Sequence, residues 1–526
     1  SRIYLIADDS MMGRAGGEKG NFMMTDYLAS EAQRFGRDPG VENGTWFQTI
    51  PMVRRSMDST STIEVNGVTL APFVDFALVQ PSTSVRFATS LSDGSYQTVY
   101  GGRAGDSSFT LTPSEVNGRL LVLDAPIGAN GQPSGTYSTA AASSIARYPG
   151  AAAIAISVID LLSPAAKAGL GRRGNGLSDR GGVSIRTPLG VAITAASADK
   201  LMGAPIATMK PGTVGPNASI SARFIELPTN APARNVIAIL RGSDPRLRGE
   251  YVAVGAHSDH IGIATRAVDH DSLRAYNRFM RPGGADSRLA RTTPATPDEL
   301  RMIRYAIDSM RKLRPPRLDS INNGADDDGS GSVALLEMAE SLASGKAPRR
   351  SILFVWHTGE EAGLLGSTWF TDHMTVPHDS VVAQLNMDMV GRGTRLDTPK
   401  GGPRNIQVIG SRRLSTDLGN VLDSVNAASA APYLIDYDFD AHGQIQNRYC
   451  RSDHYMYART GIPIAYISRG YHQDYHLVTD EPQYIDYEGL AKVAGFVRDV
   501  AVAVANRDDR VRVDKPKPNP LAACQQ

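Results

Sequence analysis

The sequence predicts an α/β protein built as more than one domain, and three observations carry that reading. A chain of 526 residues is longer than one hydrophobic core usually serves. Between about 230 and 500, short apolar runs suited to buried strands alternate with helical stretches. The runs are Asn235 to Leu240 (NVIAIL), Tyr251 to Ala256 (YVAVGA), Ile352 to Trp356, Val381 to Met387 and Ile464 to Ile467. Between about 61 and 215 the character differs, with shorter β-like runs, frequent turn residues and Ala-rich stretches.

Composition excludes several classes. A hydrophobic share of 41% and a charged share of 21% are those of an ordinary globular chain. A net charge of +1 gives no footprint for nucleic acid or an anionic membrane. No apolar run approaches the roughly 20 residues of a membrane span. The nearest, Ala151 to Leu162, is too short and carries Asp160. Two cysteines, Cys450 and Cys524, exclude a disulfide framework and a thiolate zinc site, and leave one pairing open. The chain starts at Ser1 rather than Met, so a processed form without its signal peptide, secreted or periplasmic, is expected.

Taken in order, residues 1–60 read as a helical lead-in packed on a larger domain. Asn21 to Phe35 carries apolar residues at helical spacing and stops at Gly36; Asn43-Gly44 marks a turn, and Trp46 to Met52 a strand. Residues 61–215 read as a small α/β or β-barrel domain without catalytic groups, since the segment holds no His and no tight acidic cluster. Its expected strands include Ser61 to Val65, Phe87 to Thr89, Leu111, Arg119 to Leu123, Ala151 to Val158 and Gly190 to Ile193. Its helices fall near Ser138 to Arg147 and Ala196 to Met202, and Gly169 to Gly182 reads as a mobile loop.

Residues 216–510 form the main domain. It is interrupted by an insertion at 263–321 with one clear helix, opened by the capping box Thr296-Pro297-Asp298-Glu299. A segment this long between candidate site residues reads as a lid or pocket wall. A helix Ser332 to Ser341 follows, and an amphipathic helix, Tyr487 to Asn506, closes the domain. Residues 511–526 are Pro-rich and read as a loose tail.

The chemistry gathers at strand ends. The stretch Ser351 to Gly366 (SILFVWHTGEEAGLLG) is an apolar strand, a break at Thr358-Gly359, the pair Glu360 and Glu361, and a helix from Ala362. Open α/β sheets bind ligands at this place, past the carboxyl ends of strands. His257 follows Tyr251 to Ala256, the triplet Asp326 to Asp328 precedes a helix, Asp388 follows Val381 to Met387, and His476 sits in a polar loop. Singly, each has a plain alternative, such as a helix cap, a turn or a satisfied buried histidine. Together they supply two histidines and three carboxylates, enough for two divalent metals with mixed N/O ligands, zinc first, with Glu360 left over as general base.

The stretches GAHSDHIG, NNGADDDGSGSVALLE, LFVWHTGEEAGLLGS, LNMDMVGR and DYHLVTD occur in the order of the zinc aminopeptidase family of the co-catalytic, bacterial-leucyl-aminopeptidase type, which this chain resembles. DYLASEAQRFG, NGTWFQ, RNVIAILRGSDPRLRGEYVAVGAH and SDHYMYARTGIP resemble further parts of that family. The likeness covers about residues 1–60 and 230–500, and the segment between resembles a protease-associated (PA) domain. The resemblance implies a mixed-sheet zinc-exopeptidase (phosphorylase/hydrolase-like) fold with helices on both faces and a smaller inserted PA-like domain. It implies that His257, Asp327 and Asp388 hold one zinc, and Asp327, Glu361 and His476 the other, with Asp327 bridging. Glu360 is then the general base acting on a metal-bridging water, Asp259 the carboxylate that orients His257, and Tyr475 an oxyanion donor. The 70 residues from His257 to Asp327 depart from the short loop usual there. His260, His442, His454 and His472 are extra, and Asp453-His454 is expected near the site without being a ligand.

The implied activity is that of a zinc aminopeptidase acting on peptides. A dipeptidase or carboxypeptidase-like relative, a glutaminyl-cyclase-like acyltransferase and an inactive binding or receptor-like module are the alternatives. The complete two-metal set disfavours the cyclase, which uses one zinc, and the inactive module, in which ligands would be lost.

Overall fold

The computed structural model describes residues 2–526 apart from 80–87, 107, 128–131, 134–143, 145–146, 172–173, 179–187, 282–283, 286–294, 445, 521–523 and 525. The chain folds as two units. One comprises Ser1–Ile50, Thr229–Pro520 and Gln525–Gln526, and the other Pro51–Pro228 and Leu521–Cys524.

The larger unit is α/β. Among the described residues a nine-stranded mixed sheet runs in the order Asp38–Pro39, Arg234–Leu240, Ser351–His357, Tyr251–His257, Val381–Met387, Ile464–Ser468, Asn405–Ile409, Leu434–Asp436, with Phe47–Thr49 also on Arg234–Leu240. The four strands from Ser351–His357 to Ile464–Ser468 are mutually parallel. Their neighbours Arg234–Leu240 and Asn405–Ile409 run antiparallel. Tyr251–His257 and Ser351–His357 are buried at every residue, which is why they read as unbroken apolar runs rather than alternating ones. All four parallel strands end at one edge, with His257 and His357 in register there.

Helices pack against this sheet. Gly329–Ser341 starts at Asp328, whose side chain accepts the Gly331 N–H, and buries Leu335, Leu336 and Met338. Tyr487–Asn506 starts at Asp486, which caps Gly489, and turns Leu490, Val493, Val497, Val500 and Val504 inward at helical spacing. Both join one core with Val252, Val254, Phe354, Trp356 and Leu385. Trp356 is fully buried and satisfies its indole N–H on the Ser332 carbonyl at 3.0 Å. Its truncation to Ala would cost about 3–5 kcal/mol.

The smaller unit carries a ten-stranded sheet among the described residues. Leu120, Val122, Ala153, Ala155, Leu189 and Val191 pack on one face, and Leu121, Leu123, Ile154, Ile156 and Ala192 on the other. That alternation is the signature of strands covered on both sides. The expected strands near 62–65, 120–124, 153–157 and 189–193 and the helix Ala195–Met202 are present. Leu111 lies in no strand. Most of the helix expected at Ser138 to Arg147, Phe87, and parts of Gly169 to Gly182 lie outside the described residues.

Several boundaries differ from those read in the sequence. The smaller unit begins at 51 and ends at 228, rather than spanning 61–215. The strands Met52–Met57 and Val214–Pro228 pair antiparallel, Val53 opposite Pro228, so the chain enters and leaves the unit side by side. The tail is not loose throughout. Val511 is buried in the core of the larger unit, and Arg512 binds Asp417 at 2.9 and 3.0 Å.

The insertion at 263–321 holds more structure than one helix. Ile263–Asp269 and Leu318–Ile321 form an antiparallel ribbon, and a second helix, His270–Met280, precedes the expected one at Pro297–Arg311. Asp269 caps that second helix, and its few large apolar residues hid it from a reading based on periodicity. The helix lies against the loop that bears His476. Arg274 meets Asp474 at 2.9 Å and stacks 3.2 Å over the Tyr484 ring, and His270 stands 3.1 Å from Glu481.

Candidate metal centre

The centre is assembled at the carboxyl ends of the parallel strands. His257 ends its strand with its side chain 1% exposed, its Nε2 3.3 Å from Asp327 Oδ1 and 3.9 Å from Asp388 Oδ1. Its Nδ1 is 3.0 Å from the main-chain oxygen of Asp259, while the Asp259 carboxylate stands 3.8 Å away. The orienting contact expected from that carboxylate therefore comes from the Asp259 carbonyl. The carboxylate instead accepts the Glu360 N–H at 3.1 Å.

The acidic triplet separates by role. Asp328 accepts the N–H groups of His257, Gly331 and Met389 at 3.0, 2.9 and 3.2 Å. Asp326 accepts the Gly391 N–H at 2.6 Å. With both flanking carboxylates engaged by main chain, Asp327 is the one that faces His257 and His476, while Asp326 Oδ2 lies 3.3 Å from His472 Nε2. Its own N–H is held by Asp480 at 3.1 Å, and the Asp327–Asp328 peptide bond is cis.

Glu360 and Glu361 sit in a tight turn, and the helix begins at Leu365 rather than Ala362. Gly359 (φ 86°) and Gly363 (φ 109°) adopt backbone conformations that no helix continues. Glu361 Oε2 is 3.0 Å from His476 Nε2, which is itself 3.1 Å from Asp327 Oδ2. A second imidazole, His260, reaches the same carboxylates, its Nδ1 2.8 Å from Glu361 Oε1 and 3.8 Å from Asp327 Oδ2. Two donor groups result, His257–Asp327–Asp388 and His260–Asp327–Glu361, each with one atom per residue inside 4.8 Å. In the sequence His260 reads as an extra histidine. Its signal was its position three residues after His257 at the same strand end.

Tyr475 stacks on His476, ring centres 3.8 Å apart, and on Tyr471 at 4.6 Å, and its hydroxyl receives the Arg451 guanidinium at 3.4 Å. His454 is fully buried beside Tyr466, and burial pulls its pKa down to about 3, so it is a neutral structural residue. Asp453, next to it, lies 3.5 Å from His357.

Charge is concentrated here. Burial pushes the Glu360 carboxyl well above the ordinary range, and the charges of Glu361 and Asp388 push it further. Burial raises Asp388 to about 7, with Asp327 adding to the rise and His257 opposing it. Burial would also raise Asp327, but its contacts with His257 and His476 hold it well below the usual range. Burial lowers His476, and the contacts with Asp327 and Glu361 outweigh it, lifting the imidazole to about 10. The carboxylates thus draw positive charge onto histidine, the demand that a bound cation meets. Asp327 Oδ2, Glu361 Oε1 and both ring nitrogens of His260 are buried without a hydrogen bond, although they approach one another closely. Buried polar atoms rarely stand unbonded. The convergence of imidazoles and carboxylates on one another, in two groups that share Asp327, fits a pair of divalent metals.

Fold and donor set define an α/β protein with a two-ion candidate centre at the edge of a mixed sheet. The model of peptidase family M28 matches residues 289–501. The chain is 29% identical over 239 residues to a probable leucine aminopeptidase 1 of Trichophyton verrucosum, covering 42% of this chain and 60% of that protein. It is 28% identical over 243 residues to leucine aminopeptidase 1 of Penicillium rubens, covering 43% and 58%. The chain thus spans about 60% of the length of these curated relatives. Among solved structures it is similar to an aminopeptidase from Aneurinibacillus sp. strain AM-1, with a TM-score of 0.47, 16% identity and coverage of 98% and 95%. A zinc aminopeptidase from Bacillus subtilis gives 0.46, 17%, 98% and 96%.

Proposed function

We propose that this protein is a zinc-dependent exopeptidase, an aminopeptidase that removes the N-terminal residue of a peptide with two zinc ions bound. The observation that carries the reading is Asp327, whose Oδ1 faces His257 at 3.3 Å and whose Oδ2 faces His476 at 3.1 Å. A carboxylate shared between two donor groups is the bridge that an ion pair requires. His257 and Asp388 would complete one site, Glu361 and His476 the other. Bound there, the ions would polarise the scissile carbonyl and make water more acidic.

The chain's own residues handle the protons and the substrate. Glu360, a carboxyl that burial keeps basic, takes a proton from the attacking water and returns it to the amine nitrogen as the C–N bond breaks. Asp259 holds the Glu360 main chain. The Tyr475 hydroxyl donates to the carbonyl oxygen as that oxygen gains negative charge. A free α-amine is one more donor that such a centre accepts, which favours terminal over internal cleavage. The leucine aminopeptidase names of the fungal relatives support the same activity.

The unit at 51–228 is proposed as the PA-like domain, on its resemblance in sequence. A secreted or periplasmic location is supported by the disulfide-bonded state of Cys450 and Cys524. Among the described residues no helix is long and apolar enough to cross a membrane. The test is a panel of aminoacyl-4-nitroanilides beside their N-acetyl counterparts. Release from the free-amine substrates alone is expected, and equal cleavage of the acetylated ones would overturn the aminopeptidase assignment.

A further inference from the structure

We propose that His260 is a ligand of the second metal ion, so that this ion is held by His260, His476, Glu361 and Asp327. The proposal rests on the two-metal reading above and adds a third imidazole to it.

The His260 side chain is 0% exposed, and neither ring nitrogen has a hydrogen bond. The ring's close contact is its ion pair with Glu361, and a buried imidazole that keeps an unsatisfied nitrogen beside such a pair is costly. The nearest polar atom is Glu361 Oε1 at 2.8 Å from Nδ1, itself buried and unbonded. The two form an ion pair at that distance, one that a cation bound between them would replace. Asp327 Oδ2, the next neighbour at 3.8 Å, is also unbonded. The ring of His476 stands edge-on to that of His260, centres 5.7 Å apart. Four side chains therefore converge, His260 pairing with Glu361 and His476 with both Asp327 and Glu361.

The position is built for the ring. The His260 N–H donates to the Arg14 carbonyl at 3.1 Å, and the Gly262 N–H to the Gly13 carbonyl at 3.0 Å. The Gly262 carbonyl is held in turn by the Asn322 N–H at 3.0 Å and its side-chain amide at 2.9 Å. The ring occupies the space where Gly324 has no side chain, since a Cβ there would lie 2.5 Å from the His260 Cγ.

The consequence is an unequal pair. Four protein donors would meet the tetrahedral preference of zinc at the second site, whereas His257, Asp327 and Asp388 would offer the first site three.

The test is X-ray absorption on the zinc-loaded full chain, which counts imidazoles without any substitution, together with a chelator-competition titration of the wild type, His260→Ala and His260→Gln. Three imidazoles over two zinc ions are expected in the wild type and two in either variant. The zinc affinity of the second site should fall in the variants by more than the about 10–100-fold that loss of a supporting partner costs. Two imidazoles over two ions in the wild type, or a variant that binds both ions as tightly as the wild type, would overturn the assignment of His260 and leave the two-metal reading intact. Fewer than two zinc ions on the wild type would overturn both.

Discussion

The Asp259 carboxylate accepts the main-chain N–H of Glu360 at 3.1 Å, fastening the strand end that carries His257 to the turn that carries the proposed base. The Asp259 carbonyl meanwhile holds His257 Nδ1 at 3.0 Å. Asp259→Ala should leave the second contact and remove the first. We expect kcat to fall about 10–100-fold with two zinc ions retained, as for other residues that support a metal centre. Asp259→Asn keeps an acceptor for the Glu360 N–H and should lose less. Equal losses in the two variants would contradict this role.

Arg14 is fully buried and donates to the carbonyls of Ile6, Ser258, Asn323 and Gly324 at 2.8, 3.3, 2.5 and 2.8 Å. It ties the loop after His257 to the loop before Asp327. Met12, Gly13 and Arg14 all have positive φ, so the turn is wedged between those loops at some backbone cost. Arg14→Ala leaves buried acceptors unpaired at about 1–3 kcal/mol each, and urea unfolding should show a loss of several kcal/mol. An unchanged urea midpoint would refute the argument.

Removing metal should destabilise the larger unit. Asp327, Asp388, Glu360 and Glu361 crowd one buried place, and within the chain histidine charge offsets them, with Arg14 and Arg451 adding to it. Metal binding to the native state alone stabilises it by about 4 kcal/mol at roughly 1,000 times Kd. A chelator should therefore lower the melting temperature, and added zinc should restore it. A melting curve indifferent to both would mean that the carboxylates hold no ion.

Acid should unfold the protein partly through His454. Its folded pKa is about 3 against an ordinary 6.5, so the native state resists a proton that the unfolded chain accepts. The stability that this group provides is complete above pH 6.5 and declines as pH falls toward 3, by up to about 1.4 kcal/mol per pH unit. His454→Gln should flatten that slope between pH 6.5 and 4.5 when both proteins are unfolded in urea with chelator present. Parallel slopes would assign the acid sensitivity to other groups.

The strand ends were legible because fully buried parallel strands leave unbroken apolar runs, and His257, Glu360 and Asp388 stand directly after three of them. Asp327 could be chosen from its triplet by family resemblance alone. The physical reason, that Asp326 and Asp328 are spent on main-chain N–H groups, depends on contacts 60 and more residues apart. The helix His270–Met280 escaped because its stabilising contacts are ionic, Arg274 to Asp474 and Arg314 to Asp271, and ion pairs leave no period. The domain boundary at 228 escaped because Val214–Pro228 alternates in burial and reads equally well as the start of either sheet. For His260 the sequence offers only its place three residues after His257, and it is the 2.8 Å distance to Glu361 that singles it out.

The central claim is that Glu360 moves protons at a two-zinc centre that it does not itself hold. The most direct test is elemental analysis of the wild type and Glu360→Gln beside hydrolysis of leucyl-4-nitroanilide. The account predicts about two zinc ions per chain in both proteins and a loss of kcat in the variant of about 10²–10⁴-fold. Fewer than two zinc ions on the wild type, or a variant with full activity, would contradict it.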